Sequence, residues 1–430
     1  MKAYREMTKE ELVSERNALI ERYEKCKALG LKLDMTRGKP SPNQLDLSND
    51  IYECLDDGFK TLDGQDTRNY GIASGIEEIR ALFAEILGTD KDNIFMGNSS
   101  SLNQMFDALM RSMVFGEVDS PKPWSQVEGR KWLCPAPGYD RHFRVTETLG
   151  FELIPVPMTE NGPDMDMVEE LVKDEKVKGI WCVPCYSNPD GYVYSEETCR
   201  RLAEMETAAV DFRIFWDNAY VVHHLAEDRN EWGMVPDILS LCEKAGHANR
   251  AYEFASSSKI TFAGGGISCF AANKASMAYA KKIMDAQTIC TNKVNQLAHA
   301  RYLPNKEAVL EHMMKHAALL RPKFKACLSV LNEELGFDKS LWNWTEPKGG
   351  YFVSFYAFPG TAKKIVAMCK DAGVALTPAG ASYPYGIDPK DSNIRLSPSF
   401  PVVEDIEKAV KILTICARIT AAEKLLEEMA

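Results

Sequence analysis

Three short segments hold the side chains best suited to chemistry: Tyr186-Ser187-Asn188-Pro189-Asp190-Gly191, Trp216-Asp217-Asn218-Ala219-Tyr220 and Ser256-Ser257-Ser258-Lys259. Each follows a strand-like apolar run, so a sheet could bring an amide, an acid, a tyrosine and a lysine to one edge. A lysine amine can join covalently to an aldehyde. A carboxylate facing a pyridine nitrogen keeps the ring protonated and makes it an electron sink. Tyrosine and asparagine can hydrogen-bond a phenolic oxygen and favour its ionised form. Taken in this order, the set suits an aromatic aldehyde cofactor such as pyridoxal 5'-phosphate.

A phosphate needs a cradle, and the chain offers one. Gly97-Asn98-Ser99-Ser100-Ser101 leads into a helix pattern whose apolar face is Leu102, Met105, Phe106, Leu109 and Met113. A helix start supplies unpaired N–H groups and a positive dipole end, and the serines add hydroxyls. Plain serine capping of the helix is the structural alternative.

The elements that must position these groups are legible as patterns. Thr8 with Glu11 forms a capping box that opens a helix over 8–29. An irregular Gly-, Pro- and Ser-rich arm follows it. From about residue 76, helix patterns (76–87, 100–113, 195–209, 275–297) alternate with apolar strand-like runs (132–134, 179–184, 213–216, 252–255). Such alternation predicts an α/β domain with a mostly parallel central sheet, whose ligands bind beyond the carboxyl ends of the strands. After residue 300 the pattern changes to a long helix (305–335), the run GGYFVSFYAF, a helix at 361–373 and a last one at 404–428. We therefore expect residues 1–60 (helix and arm) to join 301–430 in a smaller α+β domain, with 61–300 forming the large domain.

Composition narrows the function classes. The 430 residues are 45% hydrophobic and 26% charged, as in an ordinary soluble globular protein. A net charge of −11 disfavours nucleic-acid contact without a basic patch, and the chain has no run of Lys and Arg that would make one. No apolar run is long enough to span a bilayer, and the start is charged where a secretory signal would be apolar. Twelve cysteines without framework spacing suggest reduced thiols and a cytoplasmic location.

With these residues in view, the chain resembles the pyridoxal-phosphate-dependent aminotransferases of fold type I, class I/II group. The likeness runs from Arg37-Gly38-Lys39-Pro40 to Asn393-Ile394-Arg395-Leu396-Ser397. RGKPSPNQLDLS, GNSSSLNQMFD, PGYDRHF, YSNPDG and DFRIFWDNAYVVHHL look closest to a bacterial aspartate-aminotransferase-like subfamily. The resemblance implies a three-layer fold and a ping-pong transfer of an amino group, through a Lys259 Schiff base, between an amino acid (aspartate or glutamate) and a 2-oxo acid. It makes Lys259 also the proton carrier, Asp217 the partner of the ring nitrogen, and Tyr220 with Asn188 the partners of the ring's phenolic oxygen. Tyr139 would stack on the ring and His142 support Asp217. Ser99, Ser100, Ser101, Ser256 and Ser258 would serve the phosphate, and Tyr70 would reach the phosphate of a second subunit in a homodimer. Arg395, together with Asn188, would grip the substrate α-carboxylate, and Gly38 would leave room where the arm closes over it. One departure stands out. Eight residues beyond the lysine the family usually has a phosphate-binding arginine; here it is Ile267.

Other signals point elsewhere. Cys182-Val183-Pro184-Cys185 lacks a second pair to complete a zinc site, and His312 with His316 lacks the glutamate of a zinc-protease motif. Solvated helix-face histidines are the expectation for that pair, and no metal is expected. His223-His224 could line the site mouth. A cofactor-binding sensor module or a lyase on the same scaffold are the rival readings. A dicarboxylate substrate needs a second cation. Arg37, Lys39, Arg141 and Arg301 are all candidates, and spacing does not choose among them.

Overall fold

The computed structural model describes residues 2–430. Its centre is an eight-stranded sheet: β1 (Ile94–Met96), β2 (Lys131–Ala136), β3 (Glu152–Thr159), β4 (Gly162–Pro163), β5 (Val177–Cys182), β6 (Arg213–Asp217), β7 (Ala251–Ser256) and β8 (Ser268–Ala272). The spatial order is β1-β8-β7-β6-β5-β2-β3-β4. The five strands from β7 to β3 run parallel, while β1, β8 and β4 are antiparallel to their neighbours. Every residue of β5, β6 and β7 is buried, as expected for a parallel sheet covered by helices on both faces. This is the mostly parallel α/β architecture expected from the alternating pattern.

Three apolar clusters fill the interior. Two cover the two faces of the sheet, one built around Ile180, Ile214 and Trp216, the other around Trp132, Phe215 and Phe270. The third draws together the two ends of the chain, from Tyr4 to Met35 and from Leu320 to Leu425. The capping box is present: Thr8 Oγ1 accepts from Glu11 N at 3.2 Å and Thr8 N donates to Glu11 Oε2 at 2.7 Å. The helix it opens, Lys9–Ala28, buries Leu12, Leu19 and Tyr23 in the third cluster, which Val403–Glu428 also lines. Leu33–Asp34 of the arm pairs in parallel with Val374–Ala375, and Asn343–Trp344, Val353–Tyr356 and Asn393–Leu396 form a three-stranded antiparallel sheet. The long helix Lys306–Leu335 links the two regions. Its start (Val309, Leu310, Met313) packs with the sheet, and its later turns (Leu320 to Leu335) pack with the chain ends.

Two expectations change in detail. The helix pattern over 275–297 is two helices, Lys274–Gln287 and Lys293–Tyr302. The break spans Thr288-Ile289-Cys290-Thr291, residues of modest helix propensity, and Asn292 then caps the second helix by accepting from Asn295 N at 3.1 Å. His312 and His316 are not solvated. Both are buried, because the arm folds over that helix face. Ser48 Oγ lies 3.2 Å from His312 Nε2, and Gln44 Nε2 donates to His316 Nδ1 at 3.1 Å. Burial pushes the His316 pKa down to about 3.

Candidate active site

The carboxyl ends of β2, β5, β6 and β7 deliver Tyr139, Asn188, Asp217 and Lys259 to one edge of the sheet. A cavity of about 550 Å³ opens there, lined by all four together with Tyr220, Gly38 and Arg395. Arg395 arrives from the small antiparallel sheet, where it pairs with Ser354, and Gly38 comes from the arm. Residues separated by more than 350 positions thus share one wall.

The Asp217 end of this cavity is closely packed. Asp217 and His142 are buried, and His142 Nε2 donates to Asp217 Oδ2 at 2.9 Å. The imidazole is itself fixed by stacking on Trp181, with centroids 4.3 Å apart and planes 10° from parallel. Tyr139 meets it edge-on at 4.9 Å. The second oxygen of Asp217, Oδ1, is buried and has no hydrogen-bond partner among the described residues. A buried acceptor left unpaired costs about 1–3 kcal/mol, and a protonated pyridine nitrogen would satisfy this one. Next door, Asn218 Nδ2 donates to Glu253 Oε1 at 3.0 Å, and burial raises the Glu253 carboxyl pKa to about 8.

Lys259 and Tyr220 stand together, the amine 4.7 Å from the phenol ring centroid. Burial, with Asp217 nearby, raises the Tyr220 pKa. Asn188 is buried, and its Oδ1 accepts from Arg395 Nη1 at 3.3 Å, which leaves its amide N–H groups for a ring oxygen.

The serine segments do not line this cavity: Ser99 lines a separate groove, and Ser100 occupies the N-cap of the helix Ser101–Phe115 with no capping bond from its side chain. The capping alternative therefore does not hold, and the first N–H groups stay available to an anion. Ser258 Oγ donates to Ser99 O at 2.7 Å and Ser256 Oγ to Ser258 Oγ at 3.2 Å, which draws the two serine segments together. Ser257, between them, is a scaffold residue: its Oγ accepts from Ile267 N at 3.0 Å. Ile267 is buried in the core, and among the described residues no Lys or Arg lines the adjoining groove of Tyr52, Ser99, Gly264–266 and Asn292. Tyr70 is 77% exposed and does not line the cavity. Lys293 holds this loop in place, its buried amine donating to Asn69 O at 2.5 Å and Gly71 O at 2.7 Å.

A buried acceptor at Asp217 and free N–H groups at the Ser101–Phe115 helix start are the groups that a phosphorylated pyridine ring would need. The chain also matches, over its whole length, proteins already known. The family model for aspartate aminotransferases matches residues 7–429. The chain belongs to this family. An aspartate aminotransferase of Corynebacterium glutamicum is 48% identical over 403 residues, 94% of this chain and 92% of its own. The crystal structure of an aspartate transaminase from Corynebacterium glutamicum superposes with a TM-score of 0.95 at 46% identity, covering 98% of this chain and 99% of that one. An alpha-aminoadipate aminotransferase of Thermus thermophilus shares the fold alone, with a TM-score of 0.71 at 22% identity over 96% of both chains. The chain is an aminotransferase of fold type I, like its structural neighbours.

Within the family frame, some placements differ from expectation. Gly38 lines the cavity, but Phe352 is what forbids a side chain there: a Cβ would lie 2.4 Å from its ring. His223 and His224 are buried and do not line the cavity. His224 Nδ1 lies 2.7 Å from Tyr186 Oη, and its ring stacks on Trp232. His223 packs edge-on against Tyr220 and Tyr351. Cys182 and Cys185 are buried free thiols. Thr36, Asp140, Phe352, Thr377 and Pro378 also line the cavity, and none carries a sequence signal of its own. Thr377 Oγ1 accepts from Arg395 Nη2 at 3.4 Å, while Phe352 lies 4.9 Å beneath its guanidinium.

Proposed function

We propose that this aminotransferase binds pyridoxal 5'-phosphate and moves the amino group of a dicarboxylic amino acid, aspartate or glutamate, to a 2-oxo acid. The observation that carries the cofactor reading is the unpartnered, buried Asp217 Oδ1 at the edge where Lys259 lines the cavity. When bound, the cofactor supplies an electron sink for charge developing at the substrate Cα. The chain's own groups do the rest. Asp217, oriented by His142, would hold the proton on the ring nitrogen; Tyr220 and Asn188 would serve the phenolic oxygen; Tyr139 would pack on the ring and exclude water. Lys259 Nζ anchors the aldehyde at rest and takes the proton from the substrate Cα during turnover. Ser99, Ser100 and Ser101 would hold the phosphate with neutral donors, while Ser256 and Ser258, whose hydroxyl protons go to Ser258 Oγ and Ser99 O, would brace that loop. Arg395 and Asn188 orient the α-carboxylate, for which a planar guanidinium is suited.

A dicarboxylic substrate is supported by the cations left over. Of the four candidates, Arg301 is consumed by Cys54 O, Gly58 O and Lys60 O, and Lys39 lies over Phe400. Arg37 and Arg141 line the cavity, are exposed, and make no side-chain hydrogen bond or ion pair among the described residues. Either can meet a distal carboxylate. The Corynebacterium relative, named for aspartate, points the same way.

Exposed Tyr70, the groove lined by Tyr52 and without Lys or Arg, and the exposed Phe106, Met110 and Val114 support a homodimer in which Tyr70 would complete its partner's phosphate site. Twelve free thiols suit a reducing, cytoplasmic setting. We also assign residues 1–60 and 301–430 to the smaller domain and 61–300 to the larger.

Borohydride treatment of the yellow enzyme should attach the cofactor to the peptide containing Lys259, and labelling elsewhere would overturn the site map. In a panel of amino donors with 2-oxoglutarate, aspartate should lead. Equal rates for aromatic or branched donors would remove the dicarboxylate reading and leave the transaminase.

A further inference from the structure

Arg395 is nearly enclosed, its side chain 7% exposed, and a buried cation needs a counter-charge. In the structure that charge comes from Asp140, whose Oδ1 accepts from Arg395 Nη1 at 3.2 Å. The remaining contacts are loose. Nη1 reaches Asn188 Oδ1 at 3.3 Å, Nη2 reaches Thr377 Oγ1 at 3.4 Å, and Nε is buried without a partner. Charge-assisted bonds of a well-seated guanidinium run about 2.7–2.9 Å and commonly come in parallel pairs. Here the fork is engaged singly and at long range, so it has capacity for a better carboxylate.

Asp140 is also placed to let go. Its side chain is 37% exposed, so it can turn to water at little desolvation cost. It is the first residue of the helix Asp140–Thr148, where the N-terminal dipole end stabilises a negative charge even without Arg395.

We propose that Asp140 is a built-in stand-in for the substrate α-carboxylate: it neutralises Arg395 in the empty site and is displaced by each incoming amino acid or 2-oxo acid. This rests on the reading of Arg395 as the α-carboxylate partner. Because every substrate must break the Asp140–Arg395 pair, the pair sets a uniform penalty on binding and has no part in the chemical step. It lets an enclosed arginine wait for substrate without leaving a bare charge, and it weakens the hold on products by the same amount.

The test is succinate binding to the cofactor-loaded enzyme, measured by the change in its visible spectrum, with Asp140→Asn, Asp140→Glu and Arg395→Ala. A half-exposed ion pair of this kind is worth a factor of about five to ten in binding. Asp140→Asn should therefore tighten succinate about five- to tenfold, and Asp140→Glu should stay near wild type. The tightening should persist at high ionic strength, where through-space attraction by the changed net charge is screened. In turnover, KM for aspartate and for 2-oxoglutarate should fall together, without a rise in kcat. Unchanged or weaker binding in Asp140→Asn would overturn the proposal and make Asp140 a residue that merely orients Arg395. Arg395→Ala separates the two claims: if it binds succinate as well as wild type, the α-carboxylate reading itself falls.

Discussion

The two parts of the proposed cofactor site, the ring end at Asp217 in the cavity and the phosphate end at the serine segments, are built on opposite plans. At the ring end, Asp217, His142, Trp181, Tyr220 and Asn188 are all buried and all come from one chain. At the phosphate end, Ser99 and Ser100 are half-buried, Tyr70 is exposed, and the neighbouring groove has no cation of its own. The contrast follows from the charges each end has to manage. A single carboxylate facing a ring nitrogen is useful only if it is dry and fixed, so its support must be packed in advance. A phosphate can be met by helix N–H groups and hydroxyls at the surface, with a second copy of the chain closing over it.

Substitutions at each end can break or sharpen this contrast. Asp217→Ala should cost the most, lowering kcat/KM about 10²–10³-fold while the protein still folds; a steady-state assay with thermal melting decides it. A loss below tenfold would mean that the ring end does not work through this carboxylate. His142→Asn should cost about 10- to 100-fold, since it removes only the group that aims Asp217, and the loss should fall on kcat rather than on cofactor affinity. Tyr70→Phe should leave kcat near normal at saturating cofactor but weaken cofactor affinity about fivefold, the worth of one hydrogen bond. Sedimentation at falling concentration should show cofactor loss tracking dimer dissociation. A fully active monomer would erase the difference between the ends.

The smallest effect concerns Glu253, beneath the ring end. The folded protein keeps its proton up to about pH 8, whereas an unfolded chain releases it near 4.5. Its contribution to stability is thus complete below pH 4.5 and is lost as the pH climbs to 8. Glu253→Gln cannot titrate, so the melting temperature of wild type should drop relative to that variant across this range. Parallel curves would mean the carboxyl is already ionised under Asn218.

Much of the ring end was legible in the sequence because its groups sit immediately after apolar strands. A parallel sheet sends all such positions to one edge, so Asn188, Asp217 and Lys259 could be joined without knowing any angle. The helix start at Ser99–Ser101 was legible for the same local reason, although only the structure shows that Ser100 leaves its N–H groups uncapped. Long-range packing defeated the other readings. His312 and His316 look like a wet helix face until Ser48 and Gln44 of the arm cover them. Gly38 looks like clearance for substrate until Phe352, over 300 residues away, is found against it.

What the residues alone determined was therefore the chemistry: which groups exist, their order, and the elements that carry them to one edge, all of which depend on short-range periodicity and strand alternation. What only the folded chain decided was the selection among equals. Four cations were chemically interchangeable in the sequence, and the fold tied Arg301 to backbone carbonyls, laid Lys39 on Phe400 and left Arg37 and Arg141 unpaired at the cavity. That choice could not be read from spacing, because a side chain's availability depends on which distant carbonyls, rings and carboxylates packing brings within a few ångströms of it.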